Sequence, residues 1–89
     1  MKDDASKTRE KKIARLIEQW KRSVRAAIQS TRKDKGLSQE EIGARMAWTQ
    51  DIMSNIESGR RDITVAQFIV LANELGVDPE VMFRRVLKF

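Results

Sequence analysis

Gln50, Asp51, Ser54 and Asn55 stand at i, i+1, i+4 and i+5 of a short segment where Lys or Glu would be better helix formers. On a helix that spacing gathers the four side chains on one side. Gln and Asn each carry a donor and an acceptor on one planar group, which suits the paired N7 acceptor and N6 donor of an adenine edge. Asp51 can only accept; beside phosphates it is repelled unless it takes a hydrogen from a cytosine amino group. Arg60 and Arg61 follow the segment directly. Guanidinium groups at that point are placed to meet phosphates, though they would serve equally well in a solvated loop. The chemistry on offer is recognition, and the elements that must hold it come next.

The composition narrows the alternatives. Eighty-nine residues allow one compact domain with an extension. The chain has no Cys and no His, which removes disulfides, thiolate metal sites and the commonest acid–base catalyst. With no acidic cluster in metal or catalytic spacing either, the expectation is no enzyme, no metal and no cofactor. No apolar run approaches the roughly 18 residues of a membrane span, and the N-terminus does not lead into a signal-peptide core. These features predict a soluble cytoplasmic protein. Residues 1–25 hold nine Lys/Arg against four Asp/Glu, and residues 26–89 hold nine of each, so all the net charge of +5 lies in the N-terminal segment. That charge suits a polyanion partner, whose contact must be located by where individual charges fall.

One Pro and four Gly in the whole chain predict a mostly helical fold. From Ser6 to Lys35 there is neither, and Ile13, Leu16, Ile17, Trp20, Val24, Ala27 and Ile28 recur in steps of three and four. Gly36 supplies a left-handed stop. After it, four helix starts repeat one chemistry. Ser38 with Glu41 and Thr64 with Gln67 can each form a capping box; Thr49 and Asp78 are good N-caps, the latter followed by Pro79. Apolar residues flank each cap in staple positions: Leu37/Ile42, Trp48/Met53, Ile63/Phe68 and Val77/Met82. The prediction is an all-α, five-helix chain with helices near 8–35, 38–46, 50–58, 65–75 and 79–88. A basic extension over residues 1–20 precedes a domain over 21–89.

The second and third helices, joined through Ala47-Trp48-Thr49, form a helix-turn-helix. The stretch LSQEEIGARMAWTQDIMSNIESGRR, with Leu75-Gly76-Val77 further on, resembles the Cro-type repressors, the xenobiotic-response-element family of bacterial regulators, over about residues 21–85. That resemblance implies a repressor-like DNA-binding domain with double-stranded DNA as partner and its third helix in the major groove. Gln50 would read bases, with Asp51, Ser54 and Asn55 beside it. Gln39 would bond a phosphate and brace Gln50, and Thr49, Arg60 and Arg61 would also meet the backbone. Arg32 and Glu57 occupy the positions of an ion pair tying the first helix to the end of the third. Two departures stand out: the family usually has Gly at the turn, where this chain has Ala47 (with Gly43 standing where a small Ala is usual), and Asp51 puts a carboxylate on the reading face, where it reads C or works against other bases.

In this family the last helix often forms a two-fold dimer interface. Here that helix is more apolar than one inward face requires, which makes Val81, Phe83, Val86, Leu87 and Phe89 interface candidates and a homodimer on a palindromic site the expected assembly. The chain is similar to stand-alone regulators such as controller proteins of restriction–modification systems. Antitoxins share the same core, so a protein-interaction module remains the competing reading. The N-terminal stripe could then bind a partner protein, pair with a second copy, fold back over its own domain, or bring its Lys and Arg residues to DNA.

Overall fold

In the computed structural model the backbone is described over residues 2–89 and the side chains from residue 6 onward. Five helices follow in order: α1 (Lys2–Asp34), α2 (Gln39–Arg45), α3 (Gln50–Ser58), α4 (Val65–Glu74) and α5 (Pro79–Lys88). α1 begins well before residue 8, because nothing in that stretch interrupts helical geometry once the downstream turns are formed. At about 1.5 Å per residue it is close to 50 Å long. It accounts for the elongated outline of 53 × 25 × 19 Å.

Each later helix starts where its local chemistry requires. The side chains of Ser38, Thr49 and Thr64 accept from the backbone N–H groups of Glu41, Ile52 and Gln67, and Asp78 accepts from Glu80. Both reciprocal capping boxes are closed, since Glu41 and Gln67 accept in turn from the N–H of Ser38 and Thr64. Satisfying these otherwise orphaned donors is worth about 1 kcal/mol per cap, enough to fix where short helices begin.

The core draws on every helix: Ala27 and Ile28 from α1, Ile42 from α2, Met53 and Ile56 from α3, Phe68, Leu71 and Ala72 from α4, and Met82 and Val86 from α5. α5 packs against the C-terminal half of α1 in the opposite direction. Ser23 Oγ donates to the Phe89 carbonyl oxygen at 3.0 Å, and Arg85 donates to the Thr31 hydroxyl at 2.9 Å. From Ser6 to Trp20, by contrast, every side chain of α1 is exposed. The N-terminal half therefore projects past the domain and does not fold back over it. No break marks residue 20; what changes near there is whether the domain covers the helix.

Candidate nucleic-acid interface

The turn between α2 and α3 sets the angle of the polar segment. Ala47 adopts φ 56°, the left-handed conformation that ordinarily costs a non-glycine residue about 1–2 kcal/mol. The glycine lies instead within α2. The Gly43 carbonyl accepts from the Trp48 N–H at 2.7 Å, and a Cβ at Gly43 would come within 3.2 Å of the Trp48 oxygen and 3.3 Å of the Thr49 oxygen. The returning chain thus lies directly on α2, an approach that an alanine at 43 would crowd. Close approach at 43 and backbone strain at 47 together make the turn.

Glu57 locks this unit onto α1. Arg32 meets it with two parallel hydrogen bonds, Nε to Oε2 at 2.6 Å and Nη2 to Oε1 at 2.9 Å, and uses Nη1 to hold the α1–α2 connection by donating to the Leu37 carbonyl at 2.8 Å. Gln39 and Gln29 also donate to Glu57 Oε1, at 3.1 and 3.3 Å. The Arg32 and Glu57 side chains are only 10% and 2% exposed, so this is a buried node joining α1, α2 and α3. Burial alone would push the Glu57 carboxyl up. The hydrogen bonds from Arg32 and Gln39, the charge of Arg32 and the bond from Gln29 outweigh it and hold the group below its ordinary value. Among the described residues no buried side-chain N or O atom lacks a partner.

With the frame fixed, α3 divides cleanly. Met53 and Ile56 enter the core, while Gln50 and Asp51 are exposed and Ser54 and Asn55 half-buried on the outer side. None of those four polar side chains has a hydrogen-bond partner among the described residues. Thr49 uses a lone pair to accept from Ile52 at 3.4 Å, which leaves its hydroxyl hydrogen free to donate outward. The Gln39 side chain goes to Glu57, not to Gln50 as the resemblance implied. A buried carboxylate is the stronger acceptor, and the choice leaves Gln39 one amide hydrogen and its carbonyl oxygen. Arg60 and Arg61 are exposed beyond Gly59, and both backbone N–H groups donate to the Asn55 carbonyl, at 2.9 and 3.1 Å.

One cation joined to this surface was not singled out in the sequence. Arg25 lays its guanidinium over Gly59, whose left-handed backbone (φ 85°) closes α3; a Cβ there would stand 2.8 Å from Arg25 Cζ. A cation at a helix C-terminus is favoured by the helix dipole. Arg25 has no carboxylate partner among the described residues, whereas its neighbour Lys21 is bound to Asp62 at 3.0 Å. Arg25, Gly59 and Arg61 line one shallow groove. The only hint in the sequence is that Arg25 and Gln29 are one turn apart on α1; their meeting with α3 depends on the tertiary fold.

α5 corrects part of the expected interface. Val86 is 3% exposed and Met82 fully buried, so Val86 belongs to the domain's own core. Val81, Phe83, Leu87 and Phe89 are 47–58% exposed. Val86 lies one turn after Met82, on the side turned toward α1 and α4, and that packing uses its side chain.

A helix-turn-helix of this construction defines a class. The family model described as "Helix-turn-helix" matches residues 28–82, and the chain belongs to this Cro-type, xenobiotic-response-element-like family. Among curated proteins it is similar to an uncharacterized HTH-type transcriptional regulator, y4dJ, of Sinorhizobium fredii (strain NBRC 101917 / NGR234). The two are 48% identical over 46 residues, which is 52% of this chain and 60% of that protein. The match thus spans under two thirds of the relative's length. Among solved structures, an XRE-family like protein from Pseudomonas syringae pv. tomato str. DC3000 superposes with a TM-score of 0.78 at 20% identity, covering 85% of this chain and 93% of that one. The clp gene regulator ClgR from C. glutamicum gives 0.72 at 20% identity, covering 78% and 90%. At that identity the likeness establishes the fold.

Proposed function

We propose that this chain is a sequence-specific DNA-binding transcriptional regulator, acting in the cytoplasm on nucleoid DNA as a homodimer over a palindromic operator. One observation carries the reading: a short helix, clamped at its C-terminal end by the Glu57 node, presents Gln50, Asp51, Ser54 and Asn55 outward with no partner for them among the described residues. Unpaired amides on a rigid helix fit base edges in the major groove. Gln39, Thr49, Arg60 and Arg61 border that face and bind phosphates, and Arg25 extends their line to the end of α3. Val81, Phe83, Leu87 and Phe89 form the two-fold contact of the domain over residues 21–89, with residues 1–20 as an extension. No helix among the described residues is long and apolar enough to cross a membrane, and they contain no group of His, Cys, Asp and Glu able to hold a metal.

Selection of bound duplexes from a random pool tests this reading. The expected product is a pair of inverted half-sites, with Gln50→Ala losing preference at one position in each half while keeping salt-sensitive affinity for duplex. Recovery of an unenriched pool by the folded protein would refute it.

A further inference from the structure

α1 carries one apolar stripe, and the domain uses only its C-terminal half. Ala27 and Ile28 are fully buried and Val24 packs against the core, whereas Ile13, Leu16, Ile17 and Trp20, in the same helical phase, are 41–49% exposed. Where the stripe reaches the domain it meets a second apolar surface. The bond from Ser23 to the Phe89 carbonyl seats the end of α5 against α1, and Phe83, Leu87 and Phe89 are 53–58% exposed there. Val24 and Phe83 share a groove of about 120 Å³ with Val65 and Phe68.

We propose that this combined surface docks a second copy of the chain, the projecting half of each α1 lying antiparallel on the other and its N-terminal turns covering the exposed α5 residues of the second copy. The inference rests on the dimer in the proposed function, but not on what that dimer binds.

Three features favour a second copy as occupant. The steps from Ile13 through Ile17 and Trp20 to Val24 are four, three and four, the spacing of a helix–helix seam. By helical spacing Lys11, Arg15, Glu18 and Arg22 fall on the opposite face, and the charged residues that border the stripe beside Ile13 and Ile17, Arg9 and Glu10, are of opposite sign. The direction follows from sterics. From Ser23 onward the stripe is occupied by its own domain, so a parallel pair would drive two domains into one space, whereas an antiparallel pair sets them at opposite ends.

Area gives the third argument. From Ser6 to Trp20 the helix face measures about 22 Å by about 10 Å, far below the roughly 800 Å² per partner of a standard interface. Adding Phe83 and Phe89, aromatics of roughly 150–250 Å² each with about half of that still exposed, with Leu87 and the Lys and Arg stems alongside, brings the surface toward that size. Neither α1 nor α5 reaches it alone.

Sedimentation equilibrium on the full chain without DNA tests the proposal. Wild type is expected to be a dimer. Ile13→Glu with Ile17→Glu, and separately Phe83→Glu with Leu87→Glu, should each weaken self-association by roughly 100-fold or more, the former with an unchanged Tm for the domain. If wild type dimerises and Ile13→Glu/Ile17→Glu dimerises equally well, the docking of α1 is overturned while the dimer stands. A monomeric wild type overturns both, as would recruitment of the stripe to lipid vesicles in place of self-association. Because the chain has no Cys, oxidation gives an independent check. A single Ile13→Cys, on the seam near the centre of the overlap, should cross-link to itself while Ser6→Cys and Trp20→Cys, on the same seam at its ends, do not. Linkage at all three would contradict the antiparallel arrangement, as would linkage at none.

Discussion

Gln39 Nε2 lies 3.1 Å from Glu57 Oε1, and that bond ties the first turn of α2 to the last turn of α3. The glutamine therefore acts first on the frame and second on any phosphate. Gln39→Ala should lower stability by about 1 kcal/mol, or roughly 4–8 °C in Tm for a domain of this size. Gln39→Glu should cost more, since it sets a second carboxylate beside a buried one. Thermal denaturation of the two variants distinguishes a bracing role from a purely external one, which would leave both near wild type.

The node also sets an acid limit. Glu57 titrates below its ordinary value of 4.5 in the folded state, so the unfolded chain binds more protons as pH falls through that region. The contribution is fully present above about 4.5 and is lost as pH drops through the lowered folded value. Urea titrations between pH 3 and 6 should show stability declining toward the acid end, with Glu57→Gln removing that part of the slope. Arg32→Ala, which strands a buried carboxylate, should cost about 3–5 kcal/mol at neutral pH.

Ala47 and Gly43 make a separable pair. Ala47→Gly should relieve left-handed strain and raise stability by about 1 kcal/mol, after the extra entropy glycine gives the unfolded chain. In Gly43→Ala a gain in helix propensity of about 1 kcal/mol is opposed by crowding against the Trp48 and Thr49 oxygens, both backbone atoms of the strained turn. We expect no net gain from Gly43→Ala alone and a more favourable effect when Ala47→Gly is also present. Additive Tm shifts in the double variant would show that the two sites do not share the turn.

Arg25 and Gly59 give a fourth test. Arg25→Ala should reduce duplex affinity and flatten the salt dependence by about one phosphate contact, with little loss of fold. Gly59→Ala should destabilise by about 1–2 kcal/mol from the left-handed backbone alone, and further by displacing the guanidinium. If Arg25→Ala left the salt slope intact, Arg25 would be a helix cap and nothing more.

Which of these relationships could be read from sequence follows from how local they are. The caps at Ser38, Thr49, Thr64 and Asp78 were legible because each is complete within a few residues. The start of α1 was not, since no residue there marks a boundary. The pairing of Arg32 with Glu57 came from resemblance, as nothing in spacing alone joins residues so far apart. The bracing of Gln50 by Gln39 likewise came from resemblance; the buried carboxylate that takes the Gln39 hydrogen becomes visible only once α1, α2 and α3 are assembled. Val86 was misplaced because α5 is apolar on more than one side, so period alone does not say which residues α1 and α4 will cover. Arg25 was missed because its neighbour, Gly59, is fixed by the path of the chain.

Whether the outer face of α3 discriminates base sequence is measured directly by an equilibrium titration of the selected duplex against a shuffled one at fixed, near-physiological salt. Binding to the selected duplex should be at least roughly 1,000-fold tighter. Gln50→Ala should remove about 1–3 kcal/mol of that preference while leaving affinity for the shuffled duplex unchanged. Equal affinity for the two duplexes, or a Gln50→Ala variant that discriminates as well as wild type, would contradict base reading by that face.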